Sequence, residues 1–320
     1  LTITPKMKSG AKLIWLAAIL IIAFFGGVWL SGLRKETRSL QLNRYDYRDT
    51  RQLVTLTARA AELIGTEGEK AFARFRDNPD KWTLGGDSYL YVYDLGGINL
   101  FHGGYPELEG KNLIDFTDLL GKKTVRMIID QLEKYPRLNP HGWIHYLWVP
   151  PGSLDGVWKS SCNFKVRMPG GQWVFVGSGI DSPMQEREFY RINVDEAGEL
   201  IEEKGSSAFQ SLKDPRGRFT IHDRGIFVID RGGKAIIDPG LPLDPPRNLF
   251  EYRDLTGRRP IFELNEKLNS RQCAWVVTLD REKAGSKPVK KGIYGRRAHL
   301  DGEDVIVGAI SPRPRPAWMR

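Results

Sequence analysis

The sequence is poor in the groups that carry most enzyme and metal chemistry. It has two cysteines and five histidines in 320 residues. Nothing beside Cys162 and Cys273 has metal-ligand spacing, so two free, mostly buried thiols are expected, with a disulfide between the modules as the alternative. His102, His222 and His299 stand apart in the chain. His141 and His145 are close, but a loop-to-strand context does not bring such a pair together as a helix does, so no metal site is expected. There is no G-x-S-x-G, no H-E-x-x-H, and no glycine loop that opens a helix with G-K-S/T. The sequence thus offers no catalytic residues, no cofactor site and no sign of an enzyme. The net charge of +9 is scattered, without a dense Lys/Arg tract or a nucleic-acid motif, so no nucleic-acid partner is expected. Long hydrophobic runs are also scarce: there is one, and no second.

That run, Leu13 to Leu30, reads LIWLAAILIIAFFGGVWL and carries no charge. Eighteen helical residues span about 27 Å, roughly the hydrocarbon thickness of a bilayer. It is long for a signal-peptide core and lacks a clear A-x-A site after it. The expectation is a cytoplasmic N-terminus at 1–12 and an uncleaved transmembrane anchor at 13–33, with a cleaved signal as the alternative. Everything beyond would lie in the periplasm or outside the cell, tethered to the inner membrane by one pass.

What the chain does have is a stretch used twice. Residues 91–100 read YVYDLGGINL and residues 227–236 read FVIDRGGKAI. Asp94 and Asp230 are 136 residues apart, and so are Gly96-Gly97 and Gly232-Gly233, Asn112-Leu113 and Asn248-Leu249, Asp118-Leu119 and Asp254-Leu255, and Gly121 and Gly257. A period this long means two copies of one domain, not a solenoid. With 41% hydrophobic and 27% charged residues, the chain holds two globular cores. The first module spans 34–181 with its stalk helix, and the second spans 182–311. A basic, proline-rich tail follows at 312–320.

Periodicity fills in the elements. Leu53, Leu56, Ala60, Leu63 and Ile64 recur at helical steps between Tyr45 and Asp77, with Gly65 and Gly68 as bends. Residues up to Tyr93 alternate as a strand, Asp94 to Gly97 is a hairpin turn, and Ile98 to His102 is the next strand. Asp118 to Leu132 reads as a helix, and three strands close the module near Trp143–Trp148, Val157–Val166 and Trp173–Ile180. Met184 to about Leu212 reads as a helix bridging to the second copy. The fold class is α+β: two tandem PAS-like modules, each a long helix with an antiparallel sheet.

Here a resemblance enters. YVYDLGGINLFHG, GKNLIDFTD, GKK, GWIHYLWVPPG, WKSS and WVFVGSGI, in this order, resemble the Cache family of extracytoplasmic sensor domains, in a tandem arrangement. One departure is Cys162, three residues after Lys159, where the family usually has Tyr. The second copy restores that residue as Tyr294 after Lys291, but has Thr278 and Asp280 where the first has Tyr146 and Trp148. The resemblance implies a small-ligand site in the first module, for which Tyr91, Tyr93, His102, Trp143, Tyr146, Trp148 and Lys159 are the candidates. In the second module they are Trp275, Lys291 and Tyr294. A lysine facing tyrosine hydroxyls suits a small organic acid. The bland reading beside this puts the tryptophans in the core and the tyrosines over the sheet, and alternation does not say which face of Tyr89–Tyr93 meets the ligand. The functional expectation is a membrane-anchored sensor without its own cytoplasmic output domain, acting through a homodimer of the stalk helix or a separate signalling partner. The alternatives are a tethered solute-binding protein for a transporter and an envelope scaffold that binds no ligand.

Overall fold

A computed structural model describes residues 40–86, 88–136, 141–149, 154–238, 246–281 and 285–312. The expected membrane anchor, the residues before it and all of the tail beyond Pro312 lie outside the described residues. Among the described residues, no helix is long and apolar enough to cross a membrane. Leu1–Arg44 forms one unit, of which a short 3-10 turn at Leu42–Arg44 is described, and Tyr45–Arg320 forms another.

The second unit opens with α1 (Arg48–Glu67) and α2 (Lys70–Asp77). Leu53, Val54, Leu56, Ala60 and Ile64 make a buried stripe on α1, which packs against two strands of the first sheet. Gly68, at φ 62° and ψ −138°, ends α1 and donates its amide to the carbonyl of Ile64. The sheet is antiparallel, from β1 (Leu90–Asp94), β2 (Asn99–His102), β3 (Gly142–Trp148), β4 (Val157–Arg167) and β5 (Trp173–Asp181), in the order β2-β1-β5-β4-β3. Helix α3 (Thr124–Lys134) lies between β2 and β3 in sequence and packs on β3.

The pattern then repeats. Helices α4 (Arg187–Lys204) and α5 (Phe209–Lys213) precede β6 (Phe227–Ile229), β7 (Ala235–Ile237), α6 (Pro260–Leu268), β8 (Cys273–Asp280), β9 (Val289–Leu300) and β10 (Glu303–Ser311). The strand order β7-β6-β10-β9-β8 matches that of the first sheet. Helix α4 ends as α1 does: Gly205, at φ 57° and ψ −143°, donates to Ile201. The mixed α+β fold with two five-stranded antiparallel sheets is therefore as the sequence implies.

The repeated motif residues are turn builders. The Asp94 carboxylate accepts the amides of Gly96 and Ile98 at 2.9 and 2.8 Å, and Asp230 accepts those of Gly232 and Lys234, both at 2.9 Å. Gly97 and Gly233 take positive φ, 89° and 85°, at the same turn position. Asp118 and Asp254 act alike one turn later. Asp118 accepts from Leu120, Lys122 and Leu147, while Asp254 accepts from Thr256, Arg258 and Leu279.

That last turn corrects one expectation. The helix expected from Asp118 starts only at Thr124, because the Asp118 side chain and Gly121, at φ 81°, fold residues 118–122 into a turn. The single helix expected over Met184–Leu212 is two, divided at Gly205. Of the thiols, Cys162 is buried as expected, but Cys273 is exposed at the start of an edge strand.

Gly68→Ala would force a side chain into a conformation open almost only to glycine, so a loss of about 1–3 kcal/mol is expected in urea denaturation. Unchanged stability would mean that α1 does not end in this geometry.

Candidate functional site

Strand parity divides the first sheet into a face toward α1 and a face toward α3. On the α3 face, Tyr91 pairs with Gly177 and Gly177 with Asn163, while Tyr146 pairs with Lys159 and Lys159 with Asp181. Glycine at 177 and 179 keeps the centre of this face low. A Cβ at Gly177 would collide with the Asn163 amide and the Tyr91 ring, and one at Gly179 would lie 2.8 Å from Cε of Lys159. The Tyr91 ring and the Lys159 stem lie over these glycines, and the same face holds a cavity of about 160 Å³. Cavities of roughly that size, about 150 Å³, accept a benzene-sized molecule.

Five of the seven candidates in the first copy line this cavity: Tyr91, Tyr93, His102, Tyr146 and Trp148. Tyr89, Tyr105 and Phe116 add to its aromatic wall, and α3 contributes Thr124, Val125 and Ile128. Consecutive rings run His102–Tyr89–Tyr105–Trp148, with centroids 4.9, 5.3 and 5.6 Å apart. Glu107 is exposed, and among the described residues it is the one charged side chain of the lining.

Two candidates fall elsewhere. Trp143 points to the opposite face, where its indole donates to the Tyr45 hydroxyl at 2.8 Å and its ring lies 4.6 Å from that of Phe189 on α4. One residue of strand parity separates it from Ile144 on the α3 face. Lys159 is on the α3 face but fully buried and outside the lining. Its ammonium donates to Asp181 at 2.5 Å and lies 4.9 Å from the centre of the Tyr89 ring. Lys159 therefore supports a wall of the cavity, with its charge balanced by Asp181.

The hydrogen-bonding groups of the cavity are sorted by their partners. Tyr91 donates its hydroxyl to Asn163 at 2.8 Å, and Asn163 donates onward to Ser161, so this phenol is committed. His102 Nδ1 accepts the Tyr105 amide at 3.0 Å, which leaves the ring proton on Nε2. Burial, with Lys159 adding to it, lowers the His102 pKa to about 4, so the ring is neutral at pH 7. Burial also pushes the Tyr89, Tyr91 and Tyr146 phenols up and moves Tyr93 to about 12. The Trp148 indole N–H is buried and has no acceptor among the described residues. An unpaired buried donor is costly and calls for an acceptor. The cavity can thus offer neutral donors to a compact, oxygen-bearing molecule.

The second sheet does not repeat this arrangement. Phe227 and Gly308 stand where Tyr91 and Gly177 do, but Gly295, Ile293 and Ile310 take the places of Asn163, Ser161 and Gly179. Phe227, Val276, Ile293 and Ile310 pack with Leu249, Tyr252, Ile261 and Leu264 into a buried cluster. Tyr252 and Thr278 both donate to Asp280. Of the three candidates here, Lys291 shares this face, while Trp275 and Tyr294 share the other, beside α4. Tyr294 donates to Asp195 of α4 at 3.0 Å, and its ring is 5.0 Å from Trp275. A K-x-x-Y spacing on a strand puts its two ends on opposite faces. The same parity places Cys162 on the α1 face of the first sheet, paired with Trp143, so its departure from the family pattern does not touch the cavity. Burial pushes its thiol pKa up.

Sequence reasoning missed Tyr105, Asn163, Asp181 and the α3 residues. The apolar stripe of α3 was visible, but not that its first turn borders a cavity. Among the described residues, no group of His, Cys, Asp and Glu is arranged to hold a metal ion.

A family profile described as Cache domain matches residues 81–297. No curated protein matches the sequence. Among solved structures, a methyl-accepting chemotaxis protein from Vibrio parahaemolyticus is 23% identical over 42% of this chain and 88% of its own, with a TM-score of 0.31. A Cache chemosensory domain solved for carboxylic acid recognition is 17% identical over 48% of this chain and 97% of its own, with a TM-score of 0.32. The amino acid chemoreceptor PctC of Pseudomonas aeruginosa, in complex with GABA, is 12% identical over 90% of this chain and 98% of its own, with a TM-score of 0.30.

The low pKa of His102 has a consequence for stability. Between pH 6.5 and about 4 the unfolded chain binds a proton that the folded ring refuses. Stability from this group is therefore full above pH 6.5 and falls as pH drops, by roughly 3 kcal/mol at most. Denaturation curves at pH 7 and 4.5 should show a smaller loss in His102→Asn than in the wild type. Equal losses would place the ring in contact with water.

Proposed function

The chain belongs to the Cache-domain family, and from that premise we propose that it is an extracytoplasmic sensor that binds a small organic acid in the cavity of its first sheet. It is read here as a binding protein and not an enzyme. In this reading residues 34–181 and 182–311 form the two modules, and the apolar run at 13–33 anchors them to the inner membrane with a single pass.

The observation that carries the ligand assignment is the unpaired Trp148 indole N–H, in a cavity that a neutral His102 also lines. Both are donors, and a carboxylate is an acceptor with two oxygens. The aromatic walls take the carbon skeleton. No lysine or arginine lines the cavity among the described residues. The acid is therefore held by neutral donors, which favours one carboxylate over two, since each buried anion must be compensated by hydrogen bonds alone. The fully packed face of the second sheet supports assigning the ligand to the first.

A thermal-shift screen of the chain against acetate, propionate, pyruvate, lactate and benzoate tests this reading. An acid at a hundred times its dissociation constant should add about 2.7 kcal/mol. Trp148→Phe keeps an aromatic wall and removes the donor, and should weaken binding by about tenfold, or about 1.4 kcal/mol. Lys291→Ala should leave binding unchanged. Stabilisation by amines or sugars and by none of these acids would overturn the assignment. So would binding that survives Trp148→Phe and is lost in Lys291→Ala.

A further inference from the structure

Helix α3 has two ends with different neighbours. Its first turns border the cavity through Thr124, Val125 and Ile128. Its last turn reaches α4, the long helix that packs on the second sheet. Gln131, nearly fully buried, donates its amide to both carboxylate oxygens of Glu196, each at 3.1 Å. Glu196 is completely buried on α4 and is ion-paired with Arg218. The Arg218 guanidinium lies over the rings of Tyr135 and Phe219, 4.6 and 4.1 Å from their centres. Tyr135 is the residue that closes α3. A second buried tether lies just before α3. Lys122 donates its ammonium to the carbonyls of His145 at 3.1 Å and Thr220 at 2.7 Å. Arg218 and Thr220 belong to one segment between α5 and β6, so the element that walls the cavity is fastened at both ends to the part of the chain that carries the second sheet.

We propose that α3 reports occupancy of the first cavity to the second sheet through the buried joint Gln131–Glu196–Arg218. This rests on the reading of the cavity as the ligand site, and it gives the second sheet, whose own equivalent face is filled, the role of receiver. A helix transmits displacement because its backbone bonds make it stiff. Ile128 and Gln131 are three residues apart, about 4.5 Å along the axis. An occupant that pushes on Val125 and Ile128 therefore moves the Gln131 amide with them. The joint is sensitive to such a shift because Gln131 and Glu196 are both buried, and losing a hydrogen bond between buried polar groups is costly. Surface pairs would not serve: Lys134–Glu203, at the same end of α3, is partly solvated on both sides and weakly coupled.

Hydrogen exchange on the full chain tests this with and without a ligand. Val125→Phe puts a permanent occupant into the cavity, and Ile128→Phe is the second variant should the first fail to fold. Either should change exchange at the α4 amides around Val194–Leu200 by at least threefold, as well as in the cavity loop near Leu113–Phe116. Adding Gln131→Leu, which keeps the bulk and removes the donor, should abolish the change in α4 and leave that in the cavity loop. An α4 that exchanges as in the wild type, or a change in α4 that survives Gln131→Leu, overturns the joint. Propionate provides the separate arm. If it binds, it should reproduce the pattern of Val125→Phe. If neither it nor any other acid of the screen binds, the acid assignment fails, while the ligand-free variants still decide the joint.

Discussion

The alternation of side chains along a strand is the constraint on which the rest of this structure depends. Each sheet has one face for its long helix and one for its shorter helix and loops, and a residue cannot serve both. This parity separates Trp143 from Tyr146 and Cys162 from Lys159 in the first sheet, and Tyr294 from Lys291 in the second. Motif residues that look like one constellation in the sequence are therefore two sets. One set seals the sheet against α1 or α4, and the other makes the opposite face.

What that opposite face becomes is decided by a few small residues. In the first sheet Gly177 and Gly179 let the Tyr91 ring and the Lys159 stem lie flat across the central strand, and Asn163 and Ser161 fix the Tyr91 hydroxyl. Space remains above them. In the second sheet Ile293 and Ile310 occupy the corresponding positions, and the same backbone becomes a packed core. The two copies share turns, strand order and helix ends, because those are set by Asp and Gly at fixed positions. They differ in the interior, where volume alone distinguishes a cavity from a core.

Much of this was legible in the sequence. The 136-residue repeat gave both sheets, since turn-forming Asp94, Gly97, Asp118 and Gly121 recur as Asp230, Gly233, Asp254 and Gly257. The same residues misled at the start of α3, where an apolar stripe hid an Asp-centred turn. Five aromatic or histidine candidates reached the cavity because strand periodicity and the family pattern agreed on them. Lys159 was singled out for a charge that is in fact spent on Asp181, twenty-two residues away in sequence and beside it in the sheet. Such a pairing is a matter of register, and one sequence does not fix register. The joint at Glu196 was equally hidden, because a glutamate on a charged helix reads as surface until a facing helix buries it.

In the proposed reading the first cavity holds an acid against the Trp148 indole. The most direct measurement is the indole N–H resonance of Trp148 in a ¹⁵N-labelled protein, assigned with Trp148→Phe and followed during titration with the acid that stabilises the chain. A hydrogen bond from that donor to a carboxylate predicts a downfield shift that saturates with binding, larger than that of any other indole. An unmoved Trp148 resonance at saturation would place the ligand elsewhere and overturn this reading of the cavity.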